Sequence, residues 1–501
     1  EEAEKKALNL RIGRLLLENS NDANLDEKIF DIVDRLNQGI ELVSDRQEKN
    51  RIAELNVKAG SMARAASAYD SARQYLMKAI ELLPEDAWEN RYEMVFKCYK
   101  KLGQCEYILG NIDEANKLFE IAKQRAKSKL DAADIYDIQL QAYFIQSKFE
   151  EGAKLTKEVL KMFGIIIPDR NEELQRLEGE KYREVSSMLE GKSYADILNL
   201  PLMSDREKIA CMKIIIFGWC HSLLLHNIYE LNLLTLIGME ISLKNGNCDF
   251  SAFTYSTYGI MQAAIERDYA KSYEYGNLAL ELSQKFNNII LKGKVRNFLC
   301  HYLNFYKRHL KTSVELYRQS YYYCLECGDL VFGVWAAFCY VWHKFLIGDR
   351  LDNVYQEANN YYHFIHQTND INILNVLLLL RGVVLNLKGN TVAVTSLTSE
   401  NLDEEATVIN LKQNKFYFAL AWYFLFKLQI FLLHEKLEKA MDIWRENREI
   451  LAVFNHWVTE TEINFYVSLT LVTFYPKAED SKKAKLRETW EKKKKKMKKW
   501  A

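Results

Sequence analysis

The chain has 501 residues, of which 49% are hydrophobic, and its 68 basic residues are balanced by 68 acidic ones. This balance disfavours nucleic acid as the main ligand, because a nucleic-acid-binding face carries an excess of lysine and arginine. The longest apolar run, residues 416–426, is much shorter than the roughly 20 residues that a membrane-spanning helix needs. We therefore predict no membrane span.

The numbers of proline and cysteine residues indicate the fold class and the cellular compartment of the protein. Only four prolines occur, at Pro84, Pro168, Pro201 and Pro476, against a usual frequency of about 5%. Because proline breaks helices, the chain is predicted to be helical nearly throughout, with the prolines where helices start or stop. The nine cysteines are odd in number and lie mostly in apolar stretches, which favours a reduced, cytoplasmic protein.

Three helical repeats are predicted in the first third of the chain. The first runs over 53–86, with Gly60 in its first helix and Ala72 and Ala79 in its second. The second carries Gly103, then a Gly-Asn-Ile-Asp turn from Gly110 and an aromatic at Phe119. An insertion at 85–92 lengthens the join between them. A third, weaker repeat covers 143–153, and in the second repeat Asp113 is expected to cap the second helix.

Later segments repeat the pattern less regularly. Residues 165–205 are interpreted as a connection with one helix near 172–189. Helix pairs are predicted at 251–282, 291–326 and 330–362, with turns at Gly328 and Gly348, and a last clear pair at 416–451. The polar segment 389–410 is expected to be a loop or a short helix, and 456–475 is expected to close the stack.

A period near 34 residues with small residues at fixed offsets is typical of tetratricopeptide repeats. The predicted fold is therefore all-α, a tetratricopeptide-like solenoid (an α-α superhelix) of antiparallel helix pairs. Residues 45–165 are predicted to form N-terminal repeats, 166–205 a connecting segment, and 206–475 C-terminal repeats. Because the chain starts without methionine or signal peptide and ends in a lysine-rich run, we expect both ends to be cuts through a longer protein.

Several segments together resemble one region of large bacterial signalling proteins. They are Leu-Arg-Ile-Gly-Arg-Leu-Leu-Leu at 10–17, Ile-Phe-Asp-Ile-Val at 29–33, Ala-Glu-Leu-Asn at 53–56, Tyr-Glu-Met at 92–94 and Ser-Ala-Phe-Thr-Tyr-Ser-Thr-Tyr-Gly at 251–259. Such proteins combine a protein-kinase-like domain, an AAA-type or STAND ATPase, helical repeats, a GAF domain and a histidine kinase. The resemblance covers about residues 8–475, and no single segment is diagnostic.

The resemblance implies that residues 1–44 are the helical tail of an upstream ATPase module and its linker. It implies that 476–501 is a truncated basic helical linker towards a GAF domain. In such proteins the repeats are thought to sense or dock a partner and to bias the ATPase. The catalytic residues of the family lie in domains outside this chain, so no catalytic residue is carried over and no cofactor is expected.

The candidate binding site is the concave groove, which the first helix of each pair lines in tetratricopeptide folds. Lysine and arginine in such a groove can hold a carboxylate or an acidic peptide, and an ordinary solvated helix face is the alternative. Asp134 and Asp137 fall on the same face and are expected to pair with its lysines. The predicted groove residues are Arg64, Lys97, Lys100, Gln104, Tyr107, Gln141 and Phe144.

Other residues allow further interpretations. Cys324 and Cys327 form a lone C-x-x-C, which is interpreted as two thiols one helical turn apart at a helix end. The alternative is a zinc site to which Cys300, His301 and His343 would add ligands. His363 and His366 could share a helix face. Aromatic runs at 321–323 and 416–418 are typical of interface anchors or of packing between repeats. The basic run 482–499 could contact anionic lipid or nucleic acid, or be a solvated helix.

Three functions remain open on the sequence. The first is a non-catalytic scaffold that binds a peptide or partner domain and regulates attached ATPase and kinase modules, and it is favoured because phosphate-loop, nucleophile-elbow and H-E-x-x-H motifs are absent from the sequence. The second is a structural spacer between signalling domains. The third is a metal-dependent enzyme with a site between helices.

Overall fold

The computed structural model describes residues 2–21, 24–66, 68–84, 86–368 and 370–500, so Glu85 of the predicted insertion lies outside the described residues. Within these ranges the structure is built from α-helices joined by short turns, and the β-type pairings are two isolated bridges, Leu202–Asn247 and Ser399–Leu402. The chain divides into two compact units, unit 1 at residues 1–142 and unit 2 at residues 143–501. Each unit is described separately.

Unit 1 is a series of helix pairs in which the two helices of a pair pack together and each pair packs on the next. Between the second and third pairs, the insertion forms a single short helix. Helix α8 runs past the end of the unit. The helices are α1 Glu2–Glu18, α2 Leu25–Gln38, α3 Arg46–Ala65, α4 Tyr69–Leu82, α5 Ala87–Asn90, α6 Tyr92–Ile108, α7 Ile112–Gln124 and α8 Lys129–Ile145.

Glycine allows close helix contact in unit 1, as the sequence predicts. A Cβ atom on Gly60 would lie 2.7 Å from the Leu76 side chain of α4, and one on Gly103 would lie 2.4 Å from the Phe119 ring of α7. Neither separation is possible between real carbon atoms, so α3–α4 and α6–α7 approach each other only because these two positions lack a side chain. The predicted turn after α6 is also confirmed, with Gly110 at a φ of +85°.

The predicted cap at Asp113 is wrong. Helix α7 begins at Ile112, so Asp113 already lies in its first turn, and Asn111 occupies the capping position. Asn111 does not cap with its side chain either, because its amide donates to the Glu106 carboxylate at 2.7 Å. The negative charges of Asp113 and Glu114 still favour the helix start through the helix dipole.

Unit 2 continues the pairing of helices, and the pairs predicted at 251–282, 291–326, 330–362 and 416–451 are all present. The segment 389–410 contains both a loop and the start of α21. The helices are α9 Phe149–Met162, α10 Asn171–Leu189, α11 Tyr194–Leu198, α12 Arg206–Leu224, α13 Ile228–Asn245, α14 Ser251–Met261, α15 Tyr269–Lys285, α16 Ile289–Phe298, α17 Lys311–Cys327, α18 Leu330–Leu346, α19 Leu351–Gln367, α20 Ile371–Leu387, α21 Glu404–Gln413, α22 Tyr417–Leu433, α23 Leu437–Glu446, α24 Arg448–Leu451, α25 Val458–Phe474 and α26 Asp480–Trp500.

The segment predicted as a connection, residues 165–205, contributes a helix to the packed core of unit 2. Helix α10 packs along α13, and its Leu174 and Val185 are fully buried. Val185 belongs to a core shared with α13, α14 and α15, which Tyr182 and Leu189 extend. The domain boundaries predicted from sequence at 165 and 206 stay a prediction, whereas the division between the two compact units falls inside α8.

The first helices of successive pairs in unit 2 contact one another in the order α12, α14, α16, α18, α20, α22 and α25. Their shared side is filled by aromatic rings that also join pairs distant in sequence. The Trp457 ring, just before α25, lies 4.4 Å from His301, 5.5 Å from Tyr302 and 5.8 Å from both Trp335 and Phe418. These aromatic residues therefore pack between repeats.

Helix α20 begins at a buried aspartate, Asp370, whose charged form lowers the stability of the fold at neutral pH. Asp370 is 7% exposed and accepts a hydrogen bond from the Ile373 amide at 3.0 Å, and burial raises the pKa of its carboxyl to about 6. The ordinary value of an aspartate is about 3.9. The stability tied to its protonated form is thus fully present below pH ~4 and lost as the pH rises through about 6.

Asp370→Asn is expected to stabilise the chain at pH 7, because asparagine caps equally well without a charge. The gain should be about 1–3 kcal/mol at pH 7 and should vanish near pH 4. Urea unfolding at both pH values measures it. Asp403→Asn, at the exposed cap of α21, is the matched control. An equal effect of Asp370→Asn at both pH values would contradict this account of the cap.

Candidate functional site

Five of the seven predicted groove residues lie on α3 and α6 of unit 1. Arg64 is in the last turn of α3, and Lys97, Lys100, Gln104 and Tyr107 follow one side of α6. The spacing of three or four residues places the α6 side chains on one helix face. Lys97 is exposed, and the others are partly exposed. This group of side chains is accessible to a partner.

A further cation, Lys101, joins this face, and the prediction from sequence missed it. Its ammonium donates to the Ser61 hydroxyl of α3 at 2.6 Å, so it bridges the two helices. Its place four residues after Lys97 and three before Gln104 is the signal that could have revealed it. We refer to Arg64, Lys97, Lys100 and Lys101 as the basic face.

The positive charges of the basic face repel one another when no ligand is bound. Burial, followed by the charges of Lys97, Arg64 and Lys100, lowers the pKa of Lys101 to about 8. The buried Nε of Arg64 has no hydrogen-bond partner among the described residues. Among these four cations, only Lys100 has an ion pair within the described ranges. A bound anion would relieve the mutual repulsion of the other three.

Helix α8 contributes the acidic and polar side of the site. Asp134 accepts from the Lys100 ammonium at 2.7 Å, which confirms the predicted pairing for this residue. Asp137 is buried and accepts a hydrogen bond from the Gln141 amide at 3.0 Å. The Tyr107 hydroxyl donates to the Ala142 carbonyl at 2.6 Å. Tyr107 and Gln141 thus have internal partners in addition to their place near the basic face.

The predicted groove position of Phe144 is wrong. Phe144 belongs to unit 2, is buried, and makes edge contacts with Phe149, Phe217 and His221. It lines a cavity of about 40 Å³ rather than an accessible groove. The reason is that α8 is buried on nearly every side, so the three-residue step from Gln141 leads into a core and not along an exposed face.

The residues considered for zinc are placed in the core of unit 2. Cys300, His301, Cys324 and His343 are buried, and Cys327 donates to the Cys324 carbonyl. Within the described ranges, no three His, Cys, Asp or Glu side chains come together in a way that could hold a metal ion. All nine cysteines are free thiols. His363 and His366 are exposed on α19.

His301 and His343 form a buried polar cluster with Tyr317 and Cys339. The Nδ1 atom of His301 lies 3.1 Å from the Tyr317 hydroxyl, and Nδ1 of His343 lies 2.9 Å from the Cys339 carbonyl. Burial lowers the pKa of His343 to about 4 and that of His301 well below its ordinary value, to which His343 also contributes. Both rings are therefore neutral at pH 7, and they pack as core residues.

Comparison with known proteins gives one related sequence region. No family model matches the chain. The chain is similar to the hybrid signal transduction histidine kinase G of Dictyostelium discoideum, with 27% identity over 433 residues. The match covers 77% of this chain and 12% of the relative. The chain thus spans about an eighth of that relative, so what the whole relative does is a proposal for this chain.

Two solved structures are similar over most of the chain. One is a Signal Transduction ATPase with Numerous Domains (STAND) protein with a tetratricopeptide repeat sensor from Pyrococcus horikoshii, at a TM-score of 0.32 and 14% identity, covering 82% of this chain and 52% of that one. The other is a Rap protein complexed with competence and sporulation factor, at 0.37 and 11%, covering 81% and 99%.

The helix contacts described above confirm the predicted all-α class and its antiparallel helix pairs. The restriction of the predicted resemblance to bacterial proteins gains no support from the Dictyostelium relative and stays a prediction. No helix in the described part of the chain has both the length and the apolar character to cross a membrane.

Proposed function

We propose that this chain is a non-catalytic protein-interaction and sensor region of a signal-transduction protein, and that its basic face binds an acidic peptide segment of a partner. The observation that carries the proposal is the convergence of four cations from two helices, of which three have no ion pair among the described residues. The similarity to a signal transduction histidine kinase supports the signalling setting.

The length of the basic face sets the length of the peptide that it can bind. From Lys97 to Tyr107, α6 extends about 15 Å. An extended peptide of about five residues spans the same distance. Carboxylates at two or more of its positions would meet Lys97, Lys101 and Arg64, because charge-assisted hydrogen bonds to carboxylates are the strongest that these side chains form. Tyr107 offers an apolar ring at the far end.

The proposed consequence concerns the domains expected to flank this region in a longer protein. Occupation of the basic face would neutralise repulsion between α3 and α6 and so stabilise one arrangement of these helices. We propose that this arrangement biases the attached ATPase and kinase modules. Because a ligand shifts such an equilibrium only by its differential affinity for the two states, peptides with a larger preference for this arrangement should signal more strongly.

A random-peptide display selection tests the proposal. The native chain is the bait, and peptides are counter-selected on Lys97→Glu/Lys101→Glu. Lys117→Glu/Lys129→Glu, which makes the same charge change at exposed positions on α7 and α8, is the matched control. We expect enriched peptides to be rich in Asp and Glu, retained by the control and lost by the first variant. Enrichment without acidic bias, or nucleotide hydrolysis by the pure chain, would contradict the proposal.

Binding should also depend on pH through Lys101. Its ammonium is protonated below a pKa of about 8 and neutral above it, and a carboxylate ligand binds the protonated form. Affinity for an acidic peptide is therefore expected to fall as the pH rises from 7.5 to 9. Lys101→Gln should bind more weakly at pH 7.5 and lose this decline. A native affinity that is constant across this range would show that Lys101 does not contact the ligand.

A further inference from the structure

A second basic site lies entirely within unit 2, at a cavity of about 350 Å³ next to the last helix. Its cationic lining comes from the turn before α15 and from α26. The rest of the wall is formed by Ala263, Ala264, Tyr269, His456, Glu460 and Trp500. We refer to Arg267, Lys492, Lys495, Lys496 and Lys499, which converge on this cavity, as the basic pocket.

The sequence places these charges by two local features. The four lysines lie at 492, 495, 496 and 499 on α26, which are positions i, i+3, i+4 and i+7, so they share one helix face. Arg267 follows the π-helical turn Gln262–Glu266 and has left-handed backbone angles, with a φ of 57°. This turn ends the hydrogen bonding of the preceding helix and leaves Arg267 in the wall of the cavity.

Positive charge in the basic pocket exceeds what its acidic residue neutralises. Glu460 lines the cavity and accepts from the Lys496 ammonium and from the His456 amide. Lys492 pairs with Glu488 at 2.6 Å. Arg267, Lys495 and Lys499 take part in no ion pair within the described residues. Burial, and then the charge of Lys496, lower the pKa of the adjacent Lys493 to about 8.

Helix α26 buries fewer residues than the other long helices of unit 2. Leu486 is the one residue in its described length that is fully buried, and α26 packs mainly on α25. Its C-terminal half faces the basic pocket, where like charges from α26 and Arg267 repel each other. An anion held between them would convert this repulsion into attraction.

We propose that the basic pocket binds a small anion with several phosphate groups, and that the bound anion fastens α26 to the turn between α14 and α15. A single phosphate would fill only part of a 350 Å³ cavity and meet only some of its cations, whereas adjacent phosphates can meet Arg267 and the lysines together. Lysine acts as a point charge towards phosphate, and arginine adds paired hydrogen bonds. The required chemistry is shared by soluble polyphosphates and phosphorylated inositol-lipid headgroups.

The test is a titration of the full 501-residue chain with sodium tripolyphosphate, followed by calorimetry. Parallel arms use vesicles of phosphatidylcholine with and without phosphatidylinositol bisphosphate, and a single-stranded oligonucleotide. The test variants are Lys495→Glu/Lys499→Glu and Arg267→Asn, since asparagine tolerates the left-handed conformation. The matched control is Lys485→Glu/Lys498→Glu, which reverses two exposed lysines of α26 that do not line the cavity.

We expect saturable binding of tripolyphosphate that both test variants weaken by at least about tenfold, while the control stays within about threefold. Amide hydrogen exchange of residues 488–500 should slow when tripolyphosphate is added to the native chain and not when it is added to Lys495→Glu/Lys499→Glu. Binding of only the phosphorylated vesicles, with the same variant pattern, would support the lipid headgroup as source.

Three results would overturn the proposal. They are an absence of binding to both tripolyphosphate and phosphorylated vesicles, an equal loss in the test and control variants, and oligonucleotide binding that tripolyphosphate does not displace. Circular dichroism of each variant shows whether α26 remains helical. Because Arg267→Asn leaves α26 unchanged in sequence, a loss of binding in that variant with unchanged circular dichroism identifies Arg267 as a contact of the anion.

Discussion

Lys294→Met is expected to lower the free energy of unfolding of unit 2 by about 3–5 kcal/mol, because it leaves a buried carboxylate without its partner. Lys294 on α16 and Asp329 at the start of α18 are both nearly inaccessible to solvent and form a buried ion pair. Burial lowers the pKa of Lys294, but the charge of Asp329 and its hydrogen bond more than offset this and leave the pKa raised. The ammonium also lies 4.0 Å from the centre of the Phe332 ring.

The double variant Lys294→Met/Asp329→Asn distinguishes the cost of an unpaired buried charge from the contribution of the ion pair as a whole. Asp329 accepts the Phe332 amide as the cap of α18, and asparagine keeps that hydrogen bond. Since a buried ion pair replaced as a whole is often neutral in stability, the double variant should regain most of the loss. Arg318→Met, which breaks the exposed pair with Glu315, should cost less than about 1 kcal/mol. A double variant no better than the single one would contradict the assignment.

Trp457→Ala is expected to have an effect of similar size, a loss of about 3–5 kcal/mol. Trp457 is 1% exposed, and its ring contacts residues of three helix pairs distant in sequence. Its indole N–H has no hydrogen-bond partner among the described residues. Trp457→Phe should therefore lose packing but no hydrogen bond, and it should cost clearly less than alanine.

Chemical denaturation followed by far-ultraviolet circular dichroism measures both Trp457 variants. Tyr322→Ala is the control, because this ring is 55% exposed on α17 and its removal leaves no cavity. If Trp457→Ala and Tyr322→Ala had equal effects, Trp457 would not join the helix pairs of unit 2. A loss confined to α25 and α26 in hydrogen exchange would likewise contradict this role.

The sequence predicts the helix pairs because their signals are local. Prolines fall outside the α-helices, Gly328 and Gly348 adopt the left-handed turns expected of them, and Gly60 and Gly103 lie at close helix contacts. Each of these requirements is met by a residue and its immediate neighbours in the chain. The all-α class follows from their sum.

The candidate site was only partly predictable, because side-chain partners are set by contacts between helices. Lys101 is on the same face as Lys97, but its hydrogen bond to Ser61 depends on how α3 and α6 pack. Phe144 follows the same spacing as the groove residues and is nevertheless buried. The packing of α10 in the core could not be predicted from its sequence, which is charged and irregular. The burial of α10 depends on its contact with α13.

The most direct measurement of the central claim is the dissociation constant of a selected acidic peptide for three forms of the chain. Calorimetry at pH 7.5 and low salt compares the native chain, Lys97→Glu/Lys101→Glu and Lys117→Glu/Lys129→Glu. We expect the first variant to weaken binding at least about tenfold, or about 1.4 kcal/mol, and the second to stay within about threefold. Equal dissociation constants for the native chain and Lys97→Glu/Lys101→Glu would show that the basic face is not the binding site.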